Sequence, residues 1–140
     1  MKFKSISCIL FLAAVSTLAF GAERDTPRTP SPQAILTAGE TVYTGLVIGQ
    51  KNGYAYLYVK DSTNLTVIGV AQNSVASNGL VRVRGGIYGL KNDGTVTAAH
   101  IGASAYAATN NAYAVAASGT AAVGKICAVD TDYVWVRCGP

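Results

Sequence analysis

What most constrains this chain of 140 residues is how often it is interrupted. From about Ile35 onward, short runs of β-branched and aromatic residues are broken by Gly, Asn and Asp. The breaks recur about every eight to twelve residues, the spacing of a sandwich or barrel. Strand candidates are Thr41 to Ile48, Tyr54 to Val59, Thr66 to Ala71, Leu80 to Arg84, Ile87 to Leu90 and Thr95 to Thr97. Four more follow: Ser104 to Ala107, Ala112 to Ala116, Val123 to Val129 and Tyr133 to Arg137. Asn52-Gly53 and Asn92-Asp93-Gly94 are strong turn signals. Helical periodicity is weak, and Ala98 to Ile101 reads as one short turn. Half the residues are hydrophobic and only 13% are charged, enough apolar material for a real core.

The body also repeats itself. One copy begins GLVIGQKNGYAYLYV and ends LVRVRGG; the other begins GASAYAATNNAYAVA and ends VWVRCG. Gly45 aligns with Gly102, Tyr54 with Tyr113, Gly69 with Gly124 and Arg84 with Arg137, with short insertions between. Two copies are too few for a solenoid. The expected fold is all-β, a small β-barrel or β-sandwich built from two related β units.

Three segments follow from this. Residues 1–22 carry Lys2 and Lys4, an apolar run from Ile9 to Val15, and Ala19-Phe20-Gly21 as a small-residue cleavage site. This is the layout of a secretory signal peptide, and the apolar run is too short for a good membrane span. Residues 23–34 hold three of the four prolines and no apolar period, so they read as an extended arm. Residues 35–140 form the β domain. Without Lys2 and Lys4, nine Lys/Arg face seven Asp/Glu, too weak and scattered a charge for a nucleic-acid footprint.

A search for chemistry finds no catalytic set. His100 is the only histidine and has no carboxylate or thiol cluster beside it in the sequence, so it reads as structural. Asp61, Asp93, Asp130 and Asp132 sit at expected turns, where Asp side chains bond nearby backbone. No phosphate loop or calcium loop is present, so no cofactor or metal is expected. Asn64-Leu65-Thr66 matches a glycosylation sequon. A hairpin turning about Thr131 sets Cys127 opposite Trp135 and Cys138 opposite Gly124, so the two cysteines point to opposite faces. A bridge is then forbidden unless a bulge intervenes, and both read as free, small core residues. Arg82 and Arg84 share a strand face opposite Val81 and Val83. That face is either a partner-binding basic patch or a solvated one that guards an edge. Tyr54, Tyr56 and Tyr58 also share a face, for cross-strand packing or an interface.

The motifs run in a definite order. An Arg-Asp-Thr-Pro-Arg arm (Arg24, Asp25, Thr26, Pro27, Arg28) precedes Ala38–Gly45, Val67–Ala71 and Val83–Tyr88. Val123–Lys125 and Val134–Arg137 close the series. This order resembles a family of small tailed-phage and prophage virion proteins, the head decoration or capsid cement proteins. The likeness runs from Arg24 to Arg137. It implies a β-rich protein on the outside of a capsid shell, with the major capsid protein as partner. It further implies a homo-oligomer, such as a trimer, with no enzyme activity, nucleic acid or membrane in the mature form. The partner-binding candidates are Arg24, Asp25, Thr26, Pro27 and Arg28, which would engage the shell, together with Arg82 and Arg84. Residues 1–22 depart from the pattern, because phage heads assemble in the cytoplasm. They favour the alternative of an exported surface or periplasmic β-rich binding or fibre protein.

Overall fold

The computed structural model describes residues 33–110 and 112–139. They form ten strands: β1 (Gln33–Ala38), β2 (Val47–Lys51), β3 (Tyr54–Leu57), β4 (Thr66–Ala71), β5 (Leu80–Arg84), β6 (Gly86–Asn92), β7 (Ser104–Ala107), β8 (Ala114–Ala116), β9 (Ala122–Val129) and β10 (Tyr133–Cys138). A single 3-10 turn, Ala98–His100, links β6 to β7. The strands close into two five-stranded barrels, β1-β3-β2-β4-β5 and β6-β8-β7-β9-β10. The all-β expectation of two related units therefore holds.

The barrels have one topology. In each, the first and third strands pair in parallel (β1 with β3, β6 with β8), and every other pair is antiparallel. The sequence landmarks explain why the copies match. Gly45 and Gly102 occupy turns with φ of 85° and 88°, a region a side chain disfavours. Their N–H groups donate to Ala71 and Ile126, equivalent positions of β4 and β9. Both copies also shift register at one place, between Ile48 and Gly49 in β2 and between Ala105 and Tyr106 in β7. Opposite that shift stand Gly69 and Gly124, where a β-carbon would run into the carbonyl of Arg84 or Arg137. The fourth landmark moves by one residue. Ala55 pairs with Ala38 and Val115 with Asn92, so Tyr54 is equivalent to Ala114 and Tyr113 to Gly53.

Several strand expectations change. Thr41 to Ile48 is not one strand, because Gly45 turns the chain and Val42 makes only an isolated bridge to Val75. Thr95 to Thr97 is a loop held by Asp93, whose Oδ1 accepts from Thr95 N–H at 2.9 Å. β1 begins at Gln33 and pairs along β5, so the last two residues of the Pro-rich stretch lie in the barrel.

Alternation fills each core. In β10, Val134, Val136 and Cys138 are fully buried while Tyr133, Trp135 and Arg137 face out. The core of the first barrel holds Ile48, Ala55, Val81 and Val83. The second core, around Leu90, Val115, Ile126 and Val134, also takes in Val47, Tyr58 and Val70 from the first barrel. Val47 N–H donates to Ala112 at 2.9 Å, and Thr120 Oγ1 to the Lys60 carbonyl at 3.2 Å. The units thus form two barrels joined along a buried seam.

Candidate interaction surfaces

Arg82 and Arg84 stand on the outer face of β5, alternating with buried Val81 and Val83. Across the strand pair, Arg82 faces Ile35, Arg84 faces Gln33, and Leu80 faces Thr37. Ile35 and Leu80 are 62% and 65% exposed, so the face mixes guanidinium groups with uncovered aliphatic side chains. Arg24, Asp25, Thr26, Pro27 and Arg28 lie outside the described residues. The three tyrosines do not act together. Tyr54 is exposed beside Thr37, Tyr56 lies against Gly39, and Tyr58 is buried in the seam.

The second barrel presents the equivalent face with different chemistry. On β10 and β6, Tyr133 faces Lys91, Trp135 faces Gly89 and Arg137 faces Ile87. The indole of Trp135 covers Gly89, where a β-carbon would stand 3.4 Å from the ring. Lys91 also pairs with Ala114 on its other side, and its N–H donates to the Tyr113 carbonyl at 2.9 Å. Tyr133 and Lys91 are cross-strand partners, and Tyr113 immediately precedes β8; all three are exposed. They border an open groove of about 560 Å³ that Thr131, Asp132, Asn92 and three glycines also line. Gly45 of the first barrel is one of these. Sequence reasoning passed over this group. Its only local signal was an exposed-phase Tyr and Trp in YVWVR; Lys91 joins Tyr133 through pairing, and Tyr113 through the groove the three residues line.

The titratable groups act as structure. Thr97 N–H donates to His100 Nδ1 at 3.0 Å, which ties off the 3-10 turn. Asp130 Oδ1 accepts from Thr131 N–H at 2.7 Å, and Glu40 Oε1 from Leu57 N–H at 2.7 Å. Among the described residues, no three His, Cys, Asp or Glu side chains gather as a metal site. Asn64 of the sequon is exposed ahead of β4.

Cys138 sits opposite Gly124 as expected, but Ala128, not Cys127, faces Trp135. The register shift leaves Cys127 as the extra residue of a bulge, exposed, so it is not a core residue. Both thiols are free. Burial, with a smaller contribution from Cys127, pushes the Cys138 thiol up to about 12. Burial also raises Tyr58 and Tyr88; for Tyr88 the nearby Arg84 and a hydrogen bond from Gln72 work against it.

No family model matches the chain, and no curated protein matches it either.

Proposed function

We propose that this chain is a structural virion protein that binds the outside of a phage capsid shell, as a homo-oligomer, and stabilises it without catalysis. The observation that carries the reading is the outer face of β1 and β5. It combines Arg82 and Arg84 with exposed Ile35 and Leu80 on a rigid barrel wall. Arginine is enriched at protein–protein interfaces, whose buried centres are more apolar than the rest of the surface. The ordered motifs from Arg24 to Arg137 supply the second support, through their likeness to capsid decoration proteins.

The signal-peptide layout of residues 1–22 favours a second reading, an exported β-rich binding or fibre protein. Mass spectrometry of purified virions and of cell fractions decides between them. The capsid reading expects the chain in virions at stoichiometric amounts. The pair Arg82→Glu and Arg84→Glu should then reduce occupancy by about tenfold or more, the effect of losing roughly 1.4 kcal/mol. Recovery only from periplasm or medium, with cleavage near Gly21, would overturn the capsid reading and leave the second.

A further inference from the structure

The repeat supplies an internal control on Tyr133, Lys91 and Tyr113. The same positions in the first barrel carry Leu80, Thr37 and Gly53. The shared fold therefore requires neither the two phenols nor the amine. Tyr133 and Trp135 are 52% and 43% exposed, on one face of one strand, and leave aromatic surface in water that the first barrel does not spend there. Tyr133, Lys91 and Tyr113 line the groove together, and Asp132 lies on its margin.

The polar groups around the groove divide into two kinds. The side chain of Asn92 is taken up internally: its Nδ2 donates to Val96, and its Oδ1 accepts from Gly94 and Val96 N–H groups. The Lys91 amine and the Asp132 carboxylate form no hydrogen bond among the described residues. An ammonium only donates and a carboxylate only accepts. Together they match a ligand whose hydroxyls do both. Flat aromatic faces beside them match a ligand that is also apolar on one side. The groove is open, and its volume falls in the range of small-molecule sites. Gly45 and Gly94 put no side chain in the way, while Trp135 covers Gly89.

We propose that this groove is a carbohydrate-binding subsite. It takes a neutral pyranose glycan. Sugar C–H faces stack on Tyr113 and Tyr133, while Lys91 donates to ring hydroxyls and Asp132 accepts from them. A nucleic acid is a poorer match, because Asp132 offsets Lys91, the one Lys or Arg that lines the groove among the described residues. The site does not depend on capsid binding, because the face of β1 and β5 is separate from it.

The test applies the full-length chain to a printed array of neutral and acidic oligosaccharides. The best neutral hit is then titrated into labelled protein by NMR. The expected result is saturable binding at a Kd of about 0.1–1 mM, with shifts confined to residues 89–92, 113 and 131–133. Tyr113→Ala, Tyr133→Ala and Asp132→Asn should each weaken it about tenfold, and Tyr54→Ala, an exposed tyrosine of the first barrel, should leave it unchanged. Lys91→Met, which keeps the stem and removes the donor, guards against a misfolded variant. The proposal fails if no neutral glycan binds, or if binding survives Tyr113→Ala and Tyr133→Ala together. It fails equally if that pair changes the oligomer's mass by light scattering and no sugar competes, since a second copy would then be the occupant.

Discussion

At the scale of single residues, the most telling group is Cys138. It is fully buried in the second barrel, and its thiol titrates at about 12 against an ordinary value of 9.0. A thiol is neutral when protonated, so the fold favours the protonated form. The stability it contributes is whole below about pH 9 and is lost as pH rises from there toward 12. One proton corresponds to a slope of about 1.4 kcal/mol per pH unit in that window. Denaturant midpoints measured from pH 8 to 11 should be level at first and then fall. Cys138→Ala should flatten the fall while lowering stability throughout, because it leaves a small void. A midpoint equally alkali-sensitive in Cys138→Ala would assign the effect to Tyr58 and Tyr88, whose values burial also raises. The sequence foretold the opposite faces of the two cysteines, because alternation along a strand is local. It did not foretell the bulge that sets Ala128 rather than Cys127 opposite Trp135, since a bulge depends on how β9 meets β10.

At the scale of elements, local signals and long-range pairings separate cleanly. β5, β9 and β10 were legible because their alternation is strong and their ends are marked. β1 was not legible as a strand. QAILTA has little alternation of its own and becomes a strand by pairing with residues 80–84, far along the chain. Thr41 to Ile48 failed for the converse reason: its alternation is good, but Gly45 adopts a positive φ inside it. The off-by-one alignment of Tyr113 arose from the Asn-rich stretch before β8, where nothing in the sequence fixes the register. β1 also sets where the arm can be cut. It closes the first barrel between β3 and β5, and without it both would expose unpaired edges. Deleting residues 23–32 should leave the circular dichroism spectrum and melting temperature of the β domain unchanged. Deleting 23–38 should abolish the cooperative melt or drive aggregation. If the capsid reading holds, the shorter deletion isolates the arm's part in shell binding without disturbing the barrel.

At the scale of the whole molecule, the repeat predicted two units but not how they meet. The seam residues Val47, Tyr58 and Val70 are ordinary strand positions in sequence; only the packed chain reveals that they serve the other barrel's core. The candidate groove was hidden for the same reason, since its lining draws Gly45 from one barrel and Tyr133, Lys91 and Tyr113 from the other. Sharing a core has an energetic consequence. Barrels that merely touched would melt separately, whereas a common apolar cluster couples them into one transition. Trp135, the chain's sole tryptophan, packs over Gly89 in the second barrel and reports that barrel alone by fluorescence. Tyr58→Ala removes a large buried side chain contributed by the first barrel and should cost about 3–5 kcal/mol. Val81→Ala, inside the first core and away from the seam, should cost less, about 1–2 kcal/mol. In a coupled molecule both substitutions lower the midpoint of the Trp135 transition, each in proportion to its cost. Independent barrels would leave that midpoint untouched by Val81→Ala while far-ultraviolet dichroism recorded an earlier loss of strand. The choice between these outcomes bears on function. A coupled pair presents the face of β1 and β5 and the groove of the second barrel in a fixed relation. Under the proposals made above, docking at the first face would then hold the groove at a set position and orientation.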